Sequence, residues 1–164
     1  MRYAPSGRRS GRGGDMRILL GIDDSPHSHA ALEWVRKSAW PPGTTVLVLS
    51  VARPMVSAYA EVYAPAAPYL DEAWKDQLRF HEEITANAER ELRAAGVETV
   101  AKVMQGDPRA VLVDAARSEH ADLIIVGSHG RTGLAKLVMG SVASYVVAHA
   151  PCSVLVVKLP GHRG

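Results

Sequence analysis

The sequence holds a single cysteine, Cys152, so no internal disulfide can form and a stapled secreted scaffold is excluded. The opening stretch MRYAPSGRRSGRGGD has no apolar run of the roughly 7–15 residues that a secretory signal requires, so a cytoplasmic protein is expected. Net charge is also scarce, at +2 over 164 residues. Four of the nineteen bases (Arg2, Arg8, Arg9 and Arg12) lie in residues 1–14 with no acid beside them, leaving fifteen bases against seventeen acids. The bulk of the chain is therefore not a polyanion binder by charge, and neither a nucleic-acid nor a membrane partner is expected. Residues 1–15 read as a disordered basic tail, because four arginines on a flexible arm give little sequence-independent affinity. Leu137–Val157 contains no charged residue and is long enough to cross a bilayer. However, Gly140, Ser141, Ser144, His149, Pro151 and Ser153 interrupt it, and Ala150-Pro151 ends any helix. It reads as a helix followed by a buried strand.

What remains is an ordinary globular composition, 47% hydrophobic and 22% charged, at the size of one domain. From Met16 two periodicities alternate. The apolar run Arg17–Ile22 predicts a strand covered on both faces, and Thr45–Val51, Val97–Met104, Leu123–Val126 and Ser153–Lys158 read as four further strands. Between them, Ser25-Pro26 and Asp107-Pro108 offer N-caps with a proline at the first helical position. The first helix should carry Ala31, Trp34, Val35 and Ser38 on one face, with Trp34 as core, and the third bears Val111, Leu112, Ala115 and Ala116. Residues 52–70 read as irregular. A long helix is expected from Asp71 to Ala95, with Trp74, Leu78, His81, Thr85, Ala88, Leu92 and Ala95 in one stripe and Gly96 behind it. A last helix is expected over Ser141–His149. Strands alternating with helices imply right-handed βαβ units, hence an α/β, doubly wound five-stranded parallel sheet in the order 3-2-1-4-5. The domain spans residues 16–158, with a short C-terminal tail over 159–164.

Open parallel sheets bind ligands beyond the carboxyl ends of their strands. Three segments stand there: Asp23-Asp24-Ser25, Gly106-Asp107-Pro108, and the Gly-rich run from Gly127 through Gly130, Arg131 and Gly133 to Gly140-Ser141. The last has the features of a phosphate cradle. Glycines permit positive φ and close backbone approach to an anion, and Ser141 opens a helix whose N-terminus favours negative charge. From Leu123 to Gly164 there is no Asp or Glu, whereas Arg131 and Lys136 flank the loop. The run is neither a P-loop nor GxGxxG.

Gly127, two residues, Gly130, nine residues, then Gly140-Ser141 resembles the ATP-binding branch of the universal stress proteins. The Asp23-x-Ser25 turn, the Gly106-Asp107-Pro108 turn and the closing strand Val154–Lys158 are similar to that family in order. The resemblance implies a Rossmann-like, adenine-nucleotide α-hydrolase-like fold that binds ATP with Mg²⁺. Asp23 would lie near ribose and metal, and Val51 would line the adenine pocket. Ser25, Gly106, Gly127, Gly130, Arg131, Gly140, Ser141 and Val142 would complete the nucleotide site. Asp24 leaves open which carboxylate faces the ligand. The resemblance also implies a homodimer through the last strand, Ser153–Lys158, which is apolar on both faces and exposed at a sheet edge.

His27 and His29, two apart, do not share a helix face and make a poor metal pair. His129 reads as a loop residue, Cys152 as a small buried hydrophobe, and Trp34 and Trp74 as core. No Ser/His/Asp or Cys/His arrangement is discernible, so a nucleotide-dependent regulatory module is expected, with at most slow hydrolysis. Two alternatives stay open. One is an α-hydrolase-type pyrophosphatase or adenylyl transferase, against which Gly21-Ile22-Asp23-Asp24-Ser25 lacks a glycine pair. The other is a nucleotide-free interaction protein.

Overall fold

The computed structural model describes residues 15–54, 67–130 and 139–159. Five strands and four helices alternate: β1 (Arg17–Gly21), α1 (Pro26–Lys37), β2 (Thr45–Ala52), α2 (Ala67–Ala94), β3 (Glu98–Gln105), α3 (Pro108–Ser118), β4 (Leu123–Gly127), α4 (Ser141–His149) and β5 (Ser153–Val157). All pairings are parallel, in the order β3-β2-β1-β4-β5, as expected. Leu19 of β1 pairs with Leu47 on one side and Ile124 on the other, so β1 is the hinge of the winding.

Burial explains the apolar runs. Ile18, Leu19 and Leu20 are successive and all buried, because helices cover both faces of the central strand. Ile18 and Leu20 join Ala31, Val35, Val46, Val48, Ala88 and Leu92 under α1 and α2. Leu19 joins Leu49, Leu112, Ala116, Ile124 and Val146 under α3 and α4.

The helix starts follow the sequence signals. Ser25 caps α1 by accepting from Ser28 N at 3.1 Å, and Asp107 caps α3 by accepting from Arg109 N at 2.9 Å. At the far end of α2, Gly96 takes φ +84°, a left-handed value suited to glycine, as Val97 N donates to Leu92 O.

Several expectations need correction. Trp34 is 41% exposed and packs edge-on against Trp40, while Leu32 takes its place in the core. The buried arc of α1 runs Ser28, Ala31, Leu32, Val35, one step round from the arc through Trp34 and Ser38. Ser38 is the C-cap and only half-buried. Trp74 and Cys152 are also half-buried, and Ala95 lies exposed past the end of α2. Helix α2 begins four residues earlier than expected, and β2 extends through Ala52, which leaves less of 52–70 irregular. Residues 55–66 lie outside the described residues. Among the described residues no helix is long and apolar enough to cross a membrane. Residues 139–157 of the uncharged stretch end as α4 and β5.

Candidate functional site

The chain winds outward from β1 in both directions, so the loops after β1 and β4 leave the sheet towards opposite faces and open a crevice between them. A cavity of about 490 Å³ sits there, lined from the carboxyl ends of β1, β2 and β4 and from all four helices. That volume suits a small-molecule ligand.

The turn after β1 separates the two carboxylates. Asp23 lines the cavity, and its Oδ1 accepts from Ser25 N at 3.1 Å. Asp24 takes φ +64°, and its side chain turns to the surface, where Oδ1 meets His29 Nε2 at 2.7 Å. Asp23 is therefore the carboxylate facing the cavity. Ser25 is buried beneath the turn, where its hydroxyl donates to His129 O at 3.3 Å; it stands outside the cavity lining.

Across the crevice, the Gly-rich segment is pinned at both ends. Ser128 N donates to Val157 O, and Gly140 N donates to Ser128 O, each at 2.8 Å. Gly140 is the N-cap of α4, and no side chain caps that helix. Its first-turn N–H groups lie beyond the reach of intrahelical acceptors. Ser141 and Val142 line the cavity beside them.

These glycines do not take the positive φ that glycine permits. Gly127, Gly130 and Gly140 all have ordinary φ; the need is for space. A Cβ on Gly127 would meet the His27 backbone at 2.6 Å, and one on Gly140 would sit 3.2 Å from His129 Cα and Ser128 O. At Gly130 the neighbour is Asp23 Oδ2, 2.8 Å from where a Cβ would stand, so a side chain there would push the carboxylate aside.

Val51 is buried and lines the cavity from β2. Gly106 does not line it. With φ +139° it turns β3 into α3, its N–H donating to Ala52 O. Arg131, with Lys136, lies outside the described residues. His27 and His29 point apart: His27 packs its ring 4.9 Å from His129, while His29 pairs with Asp24. Among the described residues no three His, Cys, Asp or Glu side chains cluster as metal ligands.

A family model described as the universal stress protein family matches residues 16–158. The chain belongs to the universal stress protein family. A relative from Thermus aquaticus, a universal stress protein, is 34% identical over 86% of this chain and 97% of its own length. Among solved structures, the hypothetical protein MJ0577 superposes with a TM-score of 0.77 at 26% identity, over 90% of this chain and 98% of that one. A family member from Arabidopsis thaliana, solved with AMP bound, shares the fold at a TM-score of 0.61 and 17% identity, over 89% and 93%.

Several lining residues of this family member were not singled out from sequence as site residues. Arg53, Gln77 and His81 face the cavity beside Val51. Arg53 directly follows a strand end, which is a positional signal. His81 stands in a stripe with Leu78, Thr85, Ala88 and Leu92 that reads as core. It is only 2% exposed, and its Nδ1 lies 2.6 Å from Ser50 Oγ, which donates to Ile22 O at 2.8 Å. Near α3, the Arg109 guanidinium and backbone N–H hold the Asp107 carboxyl down to about 2. Burial and the Asp122 charge push the Cys152 thiol up, away from nucleophilic use.

Proposed function

We propose that this chain binds ATP with Mg²⁺ in the crevice between β1 and β4 and works in the cytoplasm as a nucleotide-dependent regulatory module of the stress response. The observation that carries the reading is the juxtaposition across one cavity of Asp23, the side-chain-free Gly130 and the uncapped start of α4. Backbone N–H groups at a helix start favour phosphate oxygens. Asp23 is the only acid in the described lining. One carboxylate suffices for Mg²⁺, which keeps waters and phosphate oxygens as its other ligands. The ion would neutralise phosphate charge beside Asp23. AMP in the Arabidopsis thaliana relative supports an adenine nucleotide as the ligand class.

Gly127, Gly130, Arg131, Gly140, Ser141 and Val142 form the phosphate side of this reading, with Val51 on the base side and Ser25 and Gly106 shaping the turns behind it. At most slow hydrolysis is part of this proposal, with Asp23, the one acid of the described lining, engaged by the ion and His81 and His129 as the other titratable side chains there. Nucleotide would act by population shift, favouring one loop arrangement and with it one partner-binding state. Among the described residues β5 pairs only with β4 and no strand pairs with its other edge, which supports a homodimer through that strand. Light scattering should show a dimer that Val156→Pro shifts to monomer; a monomeric parent at tens of micromolar rejects that part.

Titration calorimetry with Mg-ATP tests the site. Gly130→Val should weaken binding by well over tenfold, about 1.4 kcal/mol or more. Unchanged affinity, or a parent that binds no nucleotide, overturns the proposal.

A further inference from the structure

Two arginines stand on the β2 and α3 side of the cavity, and they are unlike. Arg109, in the first turn of α3, is committed. Its Nε lies 3.1 Å from each Asp107 carboxylate oxygen, and its backbone N–H donates to Oδ1 at 2.9 Å. Arg53, just past β2, lines the cavity and is exposed. Among the described residues no acid forms an ion pair with Arg53. The Asp107 carboxyl is held low first by Arg109 and least by the charge of Arg53, and Arg109 already occupies both its oxygens. The cavity thus carries a guanidinium for which the described residues supply no paired counter-charge.

The position of Arg53 says where a matching anion would stand. Val51 and Arg53 are two apart, and Pro54 favours an extended Arg53, so strand alternation turns both side chains to one face. Val51 is buried and forms the floor there, which leaves the exposed Arg53 at the rim. Gly130, Gly140 and Ser141 lie across β1, towards β4 and α4. A nucleotide laid between these ends puts its 5′-phosphates at the glycines, its base over Val51 and its ribose between. The ribose hydroxyls are where a further anionic group can leave that line towards the rim.

We propose that Arg53 receives a phosphate carried on the ribose, so that the cavity prefers adenine nucleotides phosphorylated at the 2′ or 3′ hydroxyl to those phosphorylated at the 5′ position alone. The proposal rests on the adenine-nucleotide reading above. A guanidinium presents N–H donors in a planar fork that matches phosphate oxygens and offers no acceptor. The edge of adenine is neutral and calls for no full charge, whereas a phosphate does. Gln77, half-buried in the same lining, brings an amide donor to that side. The contact forms at the solvent edge and is screened, so it is worth about fivefold in affinity at low ionic strength.

Calorimetry on the full chain with Mg²⁺ compares AMP, ADP and the 2′,5′- and 3′,5′-bisphosphates of adenosine. ADP and each bisphosphate add one phosphate to AMP, so the added group is the same and only its place differs. The parent should bind one of the bisphosphates about fivefold or more tighter than AMP, and added salt should shrink that preference. Arg53→Gln should bring the ratio close to one while leaving the ratio of ADP to AMP as it was. Arg53→Lys, which keeps the charge without the fork, should retain part of the preference. Arg53 is exposed, so these variants leave the core untouched. A parent that binds both bisphosphates no better than AMP overturns the proposal and leaves the nucleotide site intact. So does a preference that survives Arg53→Gln, or a loss that falls equally on ADP, which would make Arg53 a diffuse charge. A parent that binds none of the four overturns the underlying reading as well.

Discussion

One end of the cavity is built from backbone and the other from side chains. Towards β4, the wall is built around Gly127, Gly130 and Gly140, where an added Cβ would press on its neighbours, and around a helix start that no side chain caps. Towards β2, it consists of Val51, Arg53, Gln77 and His81, carried by a strand end and a helix far apart in the chain. A backbone wall presents fixed N–H groups at little conformational cost, which suits a group as uniform as phosphate. A side-chain wall can be altered residue by residue, which suits discrimination between bases. The two ends therefore differ in tolerance. Substitution at the first disturbs the protein before it disturbs a ligand, and at the second the reverse holds.

The sharpest break of this contrast is Gly127→Ala. Its Cβ would meet the His27 backbone, which is part of α1 and cannot yield easily, so about 1–3 kcal/mol of stability should be lost. A melting temperature within a degree of the parent would show that α1 yields after all. At the turn after β1, Asp23→Ala should cost Mg-ATP about tenfold or more in affinity, because its carboxylate is the one at the cavity. Asp24→Ala should leave affinity alone and reduce stability by about 1 kcal/mol, since alanine tolerates the left-handed φ poorly. Titration calorimetry and thermal unfolding of both variants separate the two roles, and a larger affinity loss at Asp24 would reverse the assignment.

The smallest effect belongs to Asp107, outside the cavity. Its carboxyl is held down to about 2, so its contribution to stability is present above its ordinary value near 4 and lost as pH falls towards 2. Asp107→Ala should remove an N-cap worth about 1 kcal/mol, and its difference from the parent should shrink below pH 4. Urea unfolding across that range checks both statements.

The same contrast decides what could be read in advance. The glycine spacing marked the backbone end because an added Cβ would press on its neighbours there, hardest at Gly127, so the constraint is partly written into residue type. The caps of α1 and α3 and the strand order were legible for a similar reason, since Ser25-Pro26, Asp107-Pro108 and the alternating runs each have one cheap local solution. The side-chain end left no such mark. His81 shares a stripe with Thr85, Ala88 and Leu92, and only the cavity beyond Ser50 distinguishes it from a core residue. Trp34 misled for a related reason. Its size argued for burial, but Leu32 fills the space under α1 and the indole is left against Trp40 at the surface.

Gly140 N donates to Ser128 O, and Ser128 N donates to Val157 O, so one residue fastens the end of β4 both to the start of α4 and to the end of β5. A disturbance at Ser128 would therefore be felt by the last helix and the last strand together, which makes this short backbone junction the point where a change in the crevice reaches the outer edge of the sheet.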